Sequence, residues 1–122
     1  MVPPPDTLAA LQAAAIRFRD EREWAQFHTP KDLALGLTIE AGELAELFLW
    51  KTREQATSAL RGDLAFRQRL AEEMADVQIF LLYLAQAGGL DLAEAVRAKL
   101  AANAVKYPVD KARGSAAKYT EL

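Results

Sequence analysis

The sequence predicts an all-α fold, a four-helix bundle-like subunit that assembles into a homo-oligomer. Apolar residues recur at spacings of three and four through most of the 122 residues. Five prolines and six glycines fall almost entirely at the edges of those periodic segments. No β-hairpin signature breaks the pattern.

The first helix reads from residue 7 to about residue 27. After Pro3-Pro4-Pro5, either Asp6 or Thr7 can cap it, and Leu8, Leu11, Ala15, Phe18 and Arg22 repeat on its stripe. Thr29-Pro30-Lys31-Asp32 is a strong restart: Thr29 as N-cap, Pro30 at the first helical position, and an acid near the positive end of the helix dipole. The second helix then runs to about Trp50. Residues 51–62 are polar and weakly patterned and read as a connection with at most a short helical turn. Asp63 caps a third helix that stops at Gly88-Gly89. Asp91-Leu92-Ala93-Glu94 opens a fourth, which Pro108 ends near Tyr107. Residues 1–122 read as one domain, with its core at about 7–107 and an irregular tail at 108–122.

Composition narrows the function. Hydrophobic residues make up 52% and charged residues 26%, enough to bury a core. Fifteen basic against 17 acidic residues leave a net charge of −2, which argues against a nucleic-acid partner and against a polybasic membrane patch. Zero cysteines and one histidine exclude disulfides, thiolate zinc sites, a cysteine nucleophile and a His-rich metal site. The longest apolar run, 77–85, is interrupted by Gln78 and is far shorter than the ~20 residues of a membrane span. The N-terminus lacks the segments of a secretory signal. A cytoplasmic protein is expected.

The third helix bears on assembly. Leu70, Met74, Val77, Leu81 and Leu84 form one apolar stripe, and Ala71, Ala75, Ile79 and Leu82 line much of the opposite side. One small subunit cannot easily bury both sides, so a subunit interface is expected.

The chemistry lies on the second and third helices. Glu40 and Glu43 are three residues apart, and Leu33, Leu37, Leu44 and Leu47 project nearly with Glu40. Glu73 and Asp76 repeat the spacing beside the stripe of Leu70, Val77 and Leu84. If the stripes face each other, four carboxylates converge, and they must bind protons or hold cations. Oxygen-only ligation suits Mg²⁺, with Mn²⁺ as a substitute. The lone His28 forms no Glu-x-x-His pair, which disfavours di-iron. Carboxylates holding several Mg²⁺ ions suit a polyphosphate. By helical spacing, Trp50 follows Glu43 on the same side and Phe80 follows Asp76. Trp24, Phe27 and His28 end the first helix, and flat rings beside such a site suit a nucleobase.

The run Glu23-Trp24-Ala25-Gln26-Phe27-His28-Thr29-Pro30, with residues 40–51 (EAGELAELFLWK), resembles the MazG-like all-α nucleoside triphosphate pyrophosphohydrolases and is nearest their dCTP pyrophosphatase branch. Glu73-Met74-Ala75-Asp76 resembles the family's second acidic element, and Lys106-Tyr107-Pro108 with residues 113–120 (RGSAAKYT) its closing segment. The resemblance covers nearly all of the chain from about Leu8.

It implies Mg²⁺-dependent hydrolysis of an NTP or dNTP between the α- and β-phosphates by a homo-oligomer, a tetramer ahead of a dimer. Glu40, Glu43, Glu73 and Asp76 would hold the metal and act in catalysis. Trp24, Ala25, Gln26, Phe27, His28, Trp50 and Phe80 would form the nucleotide pocket, with Lys106, Arg113, Lys118 and Tyr119 toward the phosphates. Relatives that prefer dCTP carry a histidine where this chain has Ala15 and a tyrosine where it has Phe80. Base preference is therefore open, between dCTP and a modified or non-canonical dNTP.

The general base is open among Glu40, Glu43 and Glu46, since Ile39 occupies the place of a further family glutamate and Glu72 faces the wrong side. Two other functions compete with hydrolysis: a nucleotide-binding helical module that does not cleave, and a structural oligomer whose acids pair with cations.

Overall fold

The computed structural model describes residues 7–122. Its elements are α1 (Leu8–Glu21), a 3-10 turn (Trp24–Phe27), α2 (Pro30–Leu49), α3 (Arg53–Gly62), α4 (Leu64–Ala87), α5 (Leu92–Lys106), α6 (Val109–Ala112) and a closing 3-10 turn (Tyr119–Glu121). Among the described residues there is no strand. No single helix among them is long and apolar enough to cross a membrane.

Side-chain caps explain where the helices start. Thr7 accepts from the Ala10 amide at 3.1 Å, while its alternative, Asp6, lies outside the described residues. Thr29 accepts from the Asp32 amide with Pro30 in the first turn. Asp63 and Asp91 accept from the Phe66 and Glu94 amides, each at 3.0 Å. Gly89, at φ +63°, supplies the left-handed residue that stops α4.

Three segments depart from the sequence expectation. The first helix ends at Glu21 rather than near Phe27, because Glu23 takes a left-handed φ of 55° and turns the chain into the separate 3-10 turn. Residues 53–62, read as a connection, form α3, nucleated by a reciprocal capping box between Thr52 and Gln55. The tail is not wholly irregular, since it carries α6 and the last 3-10 turn.

The chain divides into two compact units, one ending at Gly89 and one spanning Leu90–Leu122. In the first, α4 is central: α2 packs on it most extensively, and α1 and α3 also lie against it. Leu33 of α2 and Phe66, Leu82, Tyr83 and Ala85 of α4 form the buried core. Gly36 is where α2 meets the Phe80 ring; a Cβ there would lie 2.5 Å from Phe80 Cε1. Two polar bonds tie α1 to α4: Gln12 Nε2 donates to the Leu82 carbonyl and the Tyr83 hydroxyl to the Ala15 carbonyl, both at 2.9 Å. In the second unit, the Tyr107 and Tyr119 rings meet edge to face at 5.9 Å.

Candidate active site

α2 presents Glu40 and Glu43 one turn apart, and α4 presents Glu73 and Asp76 in the same spacing. Packing of α2 on α4 brings carboxylate oxygens of Glu40, Glu73 and Asp76 within 4.8 Å of one another. Glu43, exposed like Asp76, reaches both Glu40 and Glu73. Loss of solvation, and then the charge of Glu43, holds the Glu40 carboxyl above the usual range. Glu73 is raised by loss of solvation and then by Glu43 and Asp76.

Glu40 Oε2 and Glu73 Oε2 are buried with no hydrogen-bond partner. The ion pairs among the described residues are Arg19–Asp20 and Arg97–Glu94, so none within them neutralises the cluster. Clustered like charges with orphaned buried oxygens are what a cation would relieve, and an all-oxygen donor set fits a hard divalent ion.

Two concavities share walls with the cluster. The first, of about 640 Å³, lies between α1 and α4 and reaches Asp76 at one edge. Trp24, His28 and Phe80 line it with Phe18, Gln78 and Tyr83. Trp24 stands edge-on to Phe18 at 5.8 Å, and the His28 ring lies 5.0 Å from that of Tyr83. Burial, then the Arg19 charge, pulls His28 below its ordinary 6.5, so the imidazole is neutral at pH 7. The second concavity, about 630 Å³, is an open cleft lined by Glu43, Glu46, Leu47, Leu49, Trp50, Arg69 and Glu73.

Of the aromatic segment, Trp24 and His28 thus join Phe80 in one cavity. Ala25, Gln26 and Phe27 are absent from its lining; Gln26 instead donates to the Glu23 carbonyl at 3.0 Å, and Phe27 is exposed. Trp50, 90% exposed, lines the other cleft. Ala15 and Phe80, the two departures from the dCTP-type pattern, both border the aromatic cavity. Lys106, Arg113, Lys118 and Tyr119 belong to the second unit, where the Lys106 ammonium lies 4.9 Å from the centre of the Tyr119 ring.

Sequence reading passed over Arg69 and Gln78 as site residues. Arg69 precedes Glu73 by four, the spacing that links Asp76 to Phe80, and Gln78 is the polar break in the apolar run 77–85.

The all-α chain thus gathers carboxylates from two helices, a set that could hold a metal ion, beside an aromatic cavity. The chain belongs to the MazG-like family, whose pattern it matches over residues 36–122. Its relatives lie in the dCTP pyrophosphatase branch. It is 43% identical over 123 residues to dCTP pyrophosphatase 1 of Mus musculus, covering 98% of this chain and 69% of that one. To the Homo sapiens protein of the same name it is 43% identical over 119 residues, with the same two coverages. Among solved structures, a pyrophosphatase from Archaeoglobus fulgidus superposes with a TM-score of 0.76 at 34% identity, covering 88% of this chain and 98% of that chain.

Proposed function

We propose that this chain is a cytoplasmic, Mg²⁺-dependent nucleoside triphosphate pyrophosphatase. It cleaves a dNTP of the dCTP class between the α- and β-phosphates, giving the monophosphate and pyrophosphate. The observation that carries the reading is the convergence of Glu40, Glu73 and Asp76 at the edge of an aromatic cavity. The names of the relatives support the substrate class.

Glu40, Glu43, Glu73 and Asp76 hold the metal, with Mn²⁺ as a substitute for Mg²⁺. When bound, the ion supplies neutralisation of triphosphate charge and polarisation of the α-phosphorus. The chain's own side chains do the rest. Trp24, Phe18 and Phe80 enclose the base and exclude water from it. Glu43 or Glu46, both facing the open cleft, accepts a proton from the attacking water. The water oxygen bonds to the α-phosphorus, the bond to the bridging oxygen breaks, and pyrophosphate departs with that electron pair. Arg69, on the same cleft, offsets charge on the leaving phosphates. The subunit is a helical bundle within a homo-oligomer, a tetramer ahead of a dimer.

Product analysis over a panel of canonical and modified dNTPs and NTPs with Mg²⁺ tests this, beside Glu43→Gln and Glu73→Gln. Monophosphate and pyrophosphate are expected from the wild type, with at least about a hundredfold loss in each variant. Tight nucleotide binding without turnover would make the chain a sequestering module. Neither turnover nor binding would leave a structural oligomer.

A further inference from the structure

Four buried side-chain polar atoms have no hydrogen-bond partner among the described residues: Glu40 Oε2, Glu73 Oε2, His28 Nδ1 and Gln78 Nε2. The first two belong to the acid cluster. The other two both lie on residues that line the aromatic cavity. An apolar side chain at 78 would continue the apolar run of α4 and avoid burying an unpaired amide. The Tyr83 hydroxyl, also on the lining, is committed as a donor, because it donates to the Ala15 carbonyl at 2.9 Å. Ala15 and Phe80 have no polar side-chain atom to offer. Away from Asp76, the buried unpaired side-chain atoms of this cavity are therefore on Gln78 and His28, with the indole N–H of the more exposed Trp24 a further donor on its wall. A mostly apolar, aromatic cavity with a few polar groups is suited to a flat heterocycle read at its edge.

We propose that Gln78 determines which nucleobase this enzyme accepts: its Nε2 donates to a ring acceptor of the base, while His28 Nδ1 accepts from a neighbouring exocyclic amine. That pair of contacts selects an amino-bearing edge, as in cytosine, over a 4-oxo pyrimidine, whose ring N–H would face the amide N–H. A neutral His28 with its proton on Nε2 leaves Nδ1 free to accept. The assignment rests on the pyrophosphohydrolase reading for its ligand, but it is testable without turnover.

The test compares wild type with Gln78→Met, which keeps the length of the side chain and removes its hydrogen bonds, and with Gln78→Leu as a second apolar variant. Two ratios are read: kcat/KM for dCTP over dUTP, and calorimetric affinity for dCMP over dUMP. The wild type is expected to favour the amino pyrimidine. Each variant should lower both ratios about tenfold, with the kinetic loss in KM, and should melt no lower than wild type. Unchanged ratios would overturn the proposal. So would equal losses for both bases, which would make Gln78 a wall residue. If the wild type turns over nothing, the hydrolase reading fails while the monophosphate ratio still tests Gln78. A wild type that binds neither monophosphate overturns both.

Discussion

Glu40 occupies a position on the half-buried face of α2, the face that carries Leu33, Leu37, Leu44 and Leu47, and one of its oxygens has no partner there. Its carboxyl is held above the usual range, so it binds protons more tightly in the folded than in the unfolded chain. The sign follows: its contribution to metal-free stability is greatest below the ordinary 4.5 and is lost as pH rises through the elevated folded value. In thermal melts with chelator, Glu40→Gln should match wild type at the acid end and exceed it by a margin that grows as pH rises through the elevated folded value and then levels off. With saturating Mg²⁺ the order should reverse, because only wild type gains the full binding energy. A margin that stays flat with pH would show that Glu40 is not a repelled, partly desolvated acid. The four acids were legible in the sequence because a spacing of three on an apolar stripe fixes their direction. Trp50 and Trp24, read together from the sequence, line different concavities. The helical angle of Trp50 matches that of Glu43, and the two share one cleft although seven residues carry Trp50 about 10 Å further along the axis.

At the scale of elements, two glycines of α2 behave oppositely. A Cβ on Gly36 would lie 2.5 Å from Phe80 Cε1 and 2.9 Å from Cζ, so Gly36→Ala must displace the ring. That substitution should cost about 1–3 kcal/mol in denaturant unfolding and raise KM, since Phe80 walls the cavity. Gly42 has open space around its Cα, so Gly42→Ala should stabilise by about 1 kcal/mol through helix propensity alone. Equal effects at the two sites would remove the claim that Gly36 sets the α2–α4 approach. The turn before Trp24 offers a third case: Glu23, at φ 55°, holds a conformation that glycine adopts freely, and Glu23→Gly should gain about 1 kcal/mol in the same assay. Helix starts were readable because Thr29, Asp63 and Asp91 announce themselves as caps. The α3 helix was not, because its sequence is mostly polar and its apolar side is made of only Ala56, Ala59 and Leu60; its Thr52–Gln55 capping box was the available signal. The early end of α1 depends on the backbone angle of Glu23, which no residue pattern announces.

At the scale of the molecule, the fully buried core is small and large apolar side chains remain in water. Leu35 and Ile39 stand one turn apart on α2 at 53% and 61% exposure, and Val96 and Leu100 on α5 at 48% and 64%. Apolar residues one turn apart form a face, and soluble monomers rarely leave extended apolar faces uncovered. Covering one Leu or Ile side chain contributes about 1.5–3 kcal/mol, a large share of what a chain this small has available. A closed homo-oligomer supplies that cover by repeating one self-complementary surface. Sedimentation at micromolar concentration should therefore give a multiple of the 13.4 kDa chain mass, and the melting temperature should rise with protein concentration. Replacing both Leu35 and Ile39 by lysine puts two charges on that face, and the species should become smaller and melt lower, independently of Mg²⁺. A wild-type chain that sediments as a monomer, with a melting temperature independent of concentration, would refute the assembly and leave the exposed α2 face without a role.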